Sequence, residues 1–157
     1  MKPSHLSRDI REFLSLLYNH SVHYLIAGGE AVIYYGFARL TGDIDLFYED
    51  TMENVKKLYN ALDEFWQGSI PGIEKEDELL EPGIIVQFGV PPNRIDIMNR
   101  ISGVNFSDAW KNKRVEKLRV KNTVIEIYYI GLRDLIKNKK AMKRHKDLED
   151  LEYLKSI

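Results

Sequence analysis

Three aspartates and two glycines carry the chemistry that the residue types of this chain allow. Asp43 and Asp45 flank Ile44, and side chains two apart on a strand project to one face. Two carboxylates held that close repel, and neither is cheap to desolvate. A divalent cation removes both objections. Carboxylate oxygens suit Mg²⁺ (or Mn²⁺), and Mg²⁺ takes one or two carboxylates together with water and substrate phosphates. Asp96 is the third carboxylate, set between Ile95 and Ile97 where a charge needs a partner. If its strand lies beside that of Asp43 and Asp45, the three converge. Two metal ions held there can clamp a transferring phosphoryl group, with one carboxylate aligned to activate an attacking hydroxyl. Gly28 and Gly29 end a short apolar run and precede a helix start, so they offer free backbone N–H groups to an anion.

Each of these features also has a plainer reading. An isolated Asp-x-Asp is commonly a solvated strand edge or a turn, a Gly-Gly pair a tight turn needing positive φ, and Asp96 a buried acid paired with Arg94 or Arg100. Three better-known motifs are excluded. The glycines form no Gly-x-Gly-x-x-Gly fingerprint, and no Gly-Lys-Ser/Thr follows them. A calcium loop starting at Asp43 fails because Tyr48 stands at the sixth position, which requires Gly, and Asn54 where Glu is needed.

The elements that must position these groups follow from periodicity. Ser7 caps a helix with apolar Ile10, Phe13, Leu14, Leu16 and Leu17, ending near Asn19. Val22–Ala27 reads as a strand, Glu30–Tyr35 as a brief helix closed by Gly36, Asp43–Tyr48 as a strand, and Thr51–Trp66 as a helix with a Thr51 cap. Gly68–Pro82 is acidic and broken by Pro and Gly, hence a surface loop. Ile84–Phe88 with Arg94–Met98, and Val115–Val120 with Thr123–Tyr129, form two antiparallel hairpins, the second turning at Lys121-Asn122. Helices over Leu132–Lys143 and Lys146–Ser156 end the chain. With no repeat and no linker, residues 1–157 read as one α/β domain with a mixed sheet.

With the order strand, Gly28-Gly29, short helix, Asp43-x-Asp45 and later Asp96, the chain resembles the nucleotidyltransferase superfamily that includes DNA polymerase β and kanamycin nucleotidyltransferase. Within it, Arg39, Thr41, Asp43, Ile44 and Asp45 match the Arg-x-Thr-x-Asp-Ile-Asp of small enzymes related to abortive-infection toxins. A late segment of that branch is matched by Asp134, Leu135, Ile136, Lys139, Arg144, Lys146, Asp147 and Asp150, with His145 where Pro is usual. The resemblance, from about Tyr24 to Leu154, implies an α+β nucleotidyltransferase fold, a mixed twisted sheet flanked by helices. It implies Asp43, Asp45 and Asp96 as catalytic metal ligands, and Gly28, Gly29, Arg39, Thr41 and Lys139 on the nucleotide phosphates or around the metal. Arg144, Asp147 and Asp150 read equally as an ion-pair network opening the last helix, with Asp147 as a cap.

The implied reaction is Mg²⁺-dependent transfer of a nucleoside monophosphate from an NTP to an acceptor hydroxyl of tRNA, protein or a small molecule, releasing pyrophosphate. The rival is a nucleotide- or partner-binding protein of the same fold without turnover, or one half of a toxin–antitoxin pair. Charge is split along the chain. Residues 1–110 carry 9 Lys/Arg against 17 Asp/Glu and residues 111–157 carry 14 against 7, which permits a basic tail facing tRNA or an acidic antitoxin without selecting it. The four histidines lack metal-ligand spacing. There is no cysteine, no apolar run of the roughly 20 residues a membrane span needs, and no apolar leader core in Met1–Ile10, so a cytoplasmic protein is expected.

Overall fold

A computed structural model describes residues 5–157; the expectation of no leader core extends into residues 1–4, outside the described residues. Its elements are α1 (Arg8–Asn19), β1 (Tyr24–Ala27), α2 (Gly28–Tyr34), β2 (Asp43–Tyr48), α3 (Met52–Phe65), β3 (Ile85–Phe88), β4 (Arg94–Met98), α4 (Phe106–Lys111), β5 (Arg114–Val120), β6 (Thr123–Tyr129), α5 (Leu132–Met142) and α6 (His145–Ser156). The strands form one mixed sheet in the order β3-β4-β2-β1-β6-β5. β2–β4 and β1–β6 are parallel, and β1–β2 and the two hairpins are antiparallel. No helix among the described residues is long and apolar enough to cross a membrane.

Alternation along the strands divides the side chains between two layers. Ile44, Leu46 and Tyr48 of β2, with Tyr24 and Ile26 of β1 and Ile95 and Ile97 of β4, face a core shared with α1 and α3. Leu25, Ala27 and Phe47 point the other way, against Ala31, Val32, Phe106, Ala109, Leu135 and Leu154 from the remaining helices. Asp43 and Asp45 share the parity of Phe47, and the β2–β4 register sets Asp45 against Asp96, so all three carboxylates leave the same side of the sheet.

Side-chain caps start the helices where the sequence places them. Ser7 Oγ accepts from Ile10 N at 3.3 Å, and Thr51 from Asn54 N at 3.2 Å. Asn54, buried at the start of α3, also fixes the sheet. Its amide accepts from His23 N (2.7 Å) and donates to His23 O (3.0 Å) and Glu49 O (2.8 Å), gripping the residues just beyond the Tyr24–Tyr48 pair. The same register continues to Ala27 opposite Asp45, so a clamp at one end of β1–β2 sets which residue faces the carboxylate at the other.

One expectation is corrected, and one helix appears where none is expected. The Gly68–Pro82 segment is more than a surface loop: Ile70, Ile73 and Leu79 are buried, Glu76–Leu80 forms a 3₁₀ turn, and Leu79 O accepts from the buried Tyr48 hydroxyl at 2.7 Å. Its three apolar anchors are spaced too irregularly to register as a period. Helix α4 was not expected at all. It has six residues, only Phe106 and Ala109 buried, and one sequence signal, the Asn105 cap accepting from Asp108 N at 3.2 Å.

Candidate active site

Asp43, Asp45 and Asp96 each present a carboxylate oxygen, and these atoms lie within 4.8 Å of one another. Among the described residues no backbone N–H donates to these carboxylates, and a side-chain cation relieves the repulsion instead. In this structure the cation is Arg94, on the same strand as Asp96. Its Nη2 reaches Asp43 Oδ2 at 2.6 Å and Asp96 Oδ2 at 3.1 Å, and its Nε reaches Asp96 Oδ1 at 3.1 Å. The pairing of Asp96 with Arg94 read from the sequence is thus present, and so is the convergence of three acids. The two readings describe one site. Bridging to Asp43 follows from register, since Arg94 stands opposite Asp43 across β2–β4.

Asp45 receives no hydrogen bond from Arg94. Burial, then the neighbouring charges of Asp43 and Asp96, push its carboxyl up to about 7, against the pull of Lys139 and Arg94. Asp96 is also raised, first by burial, with Arg94 opposing. The set is all-oxygen, converging and short of positive charge, which fits a hard divalent ion.

The glycine turn lies against these acids. The helix begins at Gly28 itself, two residues earlier than the sequence suggests, and Gly28 has φ +59°. A Cβ built there would collide with the Asp45 carboxylate, so both the backbone conformation and the space require glycine. A Cβ at Gly29 would lie 2.8 Å from Thr41 Oγ1 and 3.0 Å from Arg39 Nη2. Thr41 Oγ1 in turn donates to Asp43 Oδ1 at 3.2 Å. Gly28, Gly29, Arg39 and Thr41 are therefore gathered beside the three acids.

Lys139 is gathered there too, but its ammonium is engaged. With 1% of the residue exposed, its Nζ lies 3.1 Å from both Asp147 Oδ1 and Asp150 Oδ2. Asp150 Oδ2 also meets Arg39 Nη2 at 3.3 Å, and Asp147 Oδ2 meets Arg144 Nε at 2.7 Å. Burial works against ionisation of Asp147, but hydrogen bonds from Arg144 and Lys139 outweigh it and hold its carboxyl below the usual range. Asp147 also accepts from Arg144 N at 3.1 Å, so the cap and the ion-pair network expected of it coexist. Three cations and two anions leave the chain Arg39–Asp150–Lys139–Asp147–Arg144 with one net positive charge. The Arg39–Asp150 link was missed in the sequence because 111 positions separate two residues with no shared periodicity. Elsewhere, buried Glu30 pairs with His5 Nε2 at 2.6 Å, which gives that histidine a structural partner.

No curated protein matches the chain. The family described as "Nucleotidyltransferase of unknown function (DUF6036)" matches residues 5–155, and the chain belongs to it. That description names neither a substrate nor a toxin role.

Two outcomes test this arrangement. The folded-state value of Asp45 lies above the ordinary carboxylate value of about 4. Stability linked to it is full below pH 4 and is lost as pH rises through 7, because between those values the folded chain holds the extra proton. Without metal, Asp45→Asn should melt on the order of 5 °C above wild type at pH 8, with the gap closing toward pH 4. A mutant less stable at pH 8 would make Asp45 scaffold. Lys139→Met should lower stability by about 3 kcal/mol in urea without any nucleotide, because it removes the ammonium that two buried carboxylates share and leaves each with one arginine. Unchanged stability with weakened nucleotide binding would instead put Lys139 on the phosphates.

Proposed function

We propose that this nucleotidyltransferase moves a nucleoside monophosphate from an NTP to an acceptor hydroxyl, with Asp43, Asp45 and Asp96 holding Mg²⁺ or Mn²⁺. The convergence of three carboxylates on one sheet face beside a glycine turn supports the reading. Bound there, a divalent ion would neutralise charge on the phosphates and stabilise the charge that develops during transfer. The acceptor oxygen bonds to the α-phosphorus while the bond to the α–β bridging oxygen breaks. Pyrophosphate leaves with that electron pair, and the acceptor proton passes to Asp96. Gly28 and Gly29 present backbone N–H groups to the phosphates with no side chain in the way. Arg39 Nη2 lies beside Gly29, and Arg39 Nε is buried without a hydrogen-bond partner among the described residues, so the guanidinium has donor capacity left for a phosphate oxygen. Lys139 acts at one remove, holding Asp150 and through it Arg39. Most of the rate comes from positioning and charge neutralisation. The acceptor is a hydroxyl of tRNA, protein or a small molecule.

A second reading draws on Arg94. A cation already seated on two of the three acids suits a protein that binds nucleotide without turning it over, alone or with a partner such as an antitoxin. Label transfer separates the two. With Mg²⁺, each NTP in turn and cell lysate as acceptor source, α-phosphate label should become covalently attached and γ-label should not. Asp43→Asn and Asp96→Asn should lower transfer at least 10²-fold. A magnesium–NTP complex at 100 times its Kd adds roughly 2.7 kcal/mol, visible as several degrees of melting temperature. That stabilisation with no label from any NTP would favour binding alone. Transfer from the γ position would contradict the proposal.

A further inference from the structure

The two edges of the sheet differ in a way that the active site does not explain. One edge is β5, where Arg114, Glu116, Lys117 and Arg119 make four charged residues of seven, followed by Lys121. Charges of this kind are how soluble proteins keep a free edge from pairing with another strand. The other edge is β3, which pairs with β4 alone among the described residues. From Ile84 to Asn93 the chain carries no charged residue. Ile85, the first residue of that strand, is 59% exposed, and Val90, two residues past its end, is 73% exposed. Bare backbone donors and acceptors with apolar side chains beside them form a template for one more strand.

We propose that β3 pairs antiparallel with β3 of a second copy of this chain across a two-fold axis perpendicular to the sheet, giving a twelve-stranded sheet. Three observations select a second copy as the occupant. The strand is self-complementary in charge: with Gln87 on the axis, Glu81 faces Asn93 of the other copy, and no like charges meet. The same operation at β5 centred on Lys117 would set that lysine against itself, on an edge already in positive excess. Pairing also terminates, because it covers both bare edges and leaves only the two charged β5 edges, a closed arrangement rather than a growing one. The axis keeps both copies' acidic clusters on one side of the joined sheet. Asp96 and its equivalent then lie three strand spacings apart, roughly 14 Å across the sheet.

The test uses the whole chain. Sedimentation velocity at tens of micromolar should give a dimer for the wild type and a monomer for Ile85→Lys, whose exposed position leaves the fold, read by circular dichroism, unchanged. Because the chain has no cysteine, Gln87→Cys introduces a single thiol; under mild oxidation it should form a disulfide-linked dimer, while Lys117→Cys should not. The cysteine pair decides the matter if Ile85→Lys fails to fold. A wild type that stays monomeric at 100 µM overturns the proposal, whether or not β3 then captures an extended peptide. So does a dimer that survives Ile85→Lys and cross-links no better through position 87 than through 117.

Discussion

Mutual repulsion among three carboxylates on one face of the sheet is the constraint around which the rest of this structure is arranged. Asp43, Asp45 and Asp96 are brought together by parallel pairing of β2 with β4 and by strand parity, and a one-residue slip in either strand would turn its acids into the apolar layer. Register is therefore held firmly. Asn54 grips the far end of β1–β2, and Gly28 gives up its side chain so that the carboxylate of Asp45 has room. Without an added ion, Arg94 supplies positive charge to Asp43 and Asp96, while Asp45 lies outside that embrace and its carboxyl is pushed up by burial and by the two neighbouring acids.

A second electrostatic structure supports the first. The buried Lys139 with Asp147 and Asp150 is expensive to desolvate, and an apolar cluster of the same volume would pack with less cost. What the ion cluster does that an apolar one cannot is extend outward to Arg39 and Arg144, fixing a guanidinium over Gly29. In this way α5 and α6, which contribute no residue to the three-acid group, determine the charge beside the glycine turn. In the ligand-free structure the late motif matched in the sequence is thus joined to Arg39 through Asp150.

Much of this was legible in the sequence because the signals were periodic or chemically conspicuous. Strand alternation around Ile44 and Ile95, the Ser7 and Thr51 caps, and the hairpin turn at Lys121 all appear where local chemistry puts them. The pairing of β2 with β4 was reached only through resemblance, since no local property of Asp45 names Asp96 as its neighbour. What the sequence hid was short or nonlocal. Helix α4 buries too few residues to show a period, and Ile70, Ile73 and Leu79 anchor a segment whose composition looks like open loop. Lys139 sits among Lys137, Lys140 and Lys143, and only tertiary packing distinguishes the buried ammonium from its solvated neighbours.

In the proposed function the three acids are a divalent-cation site, and Arg94 occupies the place of the ion. Anomalous X-ray diffraction from crystals of the protein grown with millimolar Mn²⁺ at pH 8 tests it most directly. Manganese should be bound by Asp43, Asp45 and Asp96, with the Arg94 guanidinium displaced from Asp43. Arg94 still bridging Asp43 and Asp96, with no manganese among the three carboxylates, would contradict it.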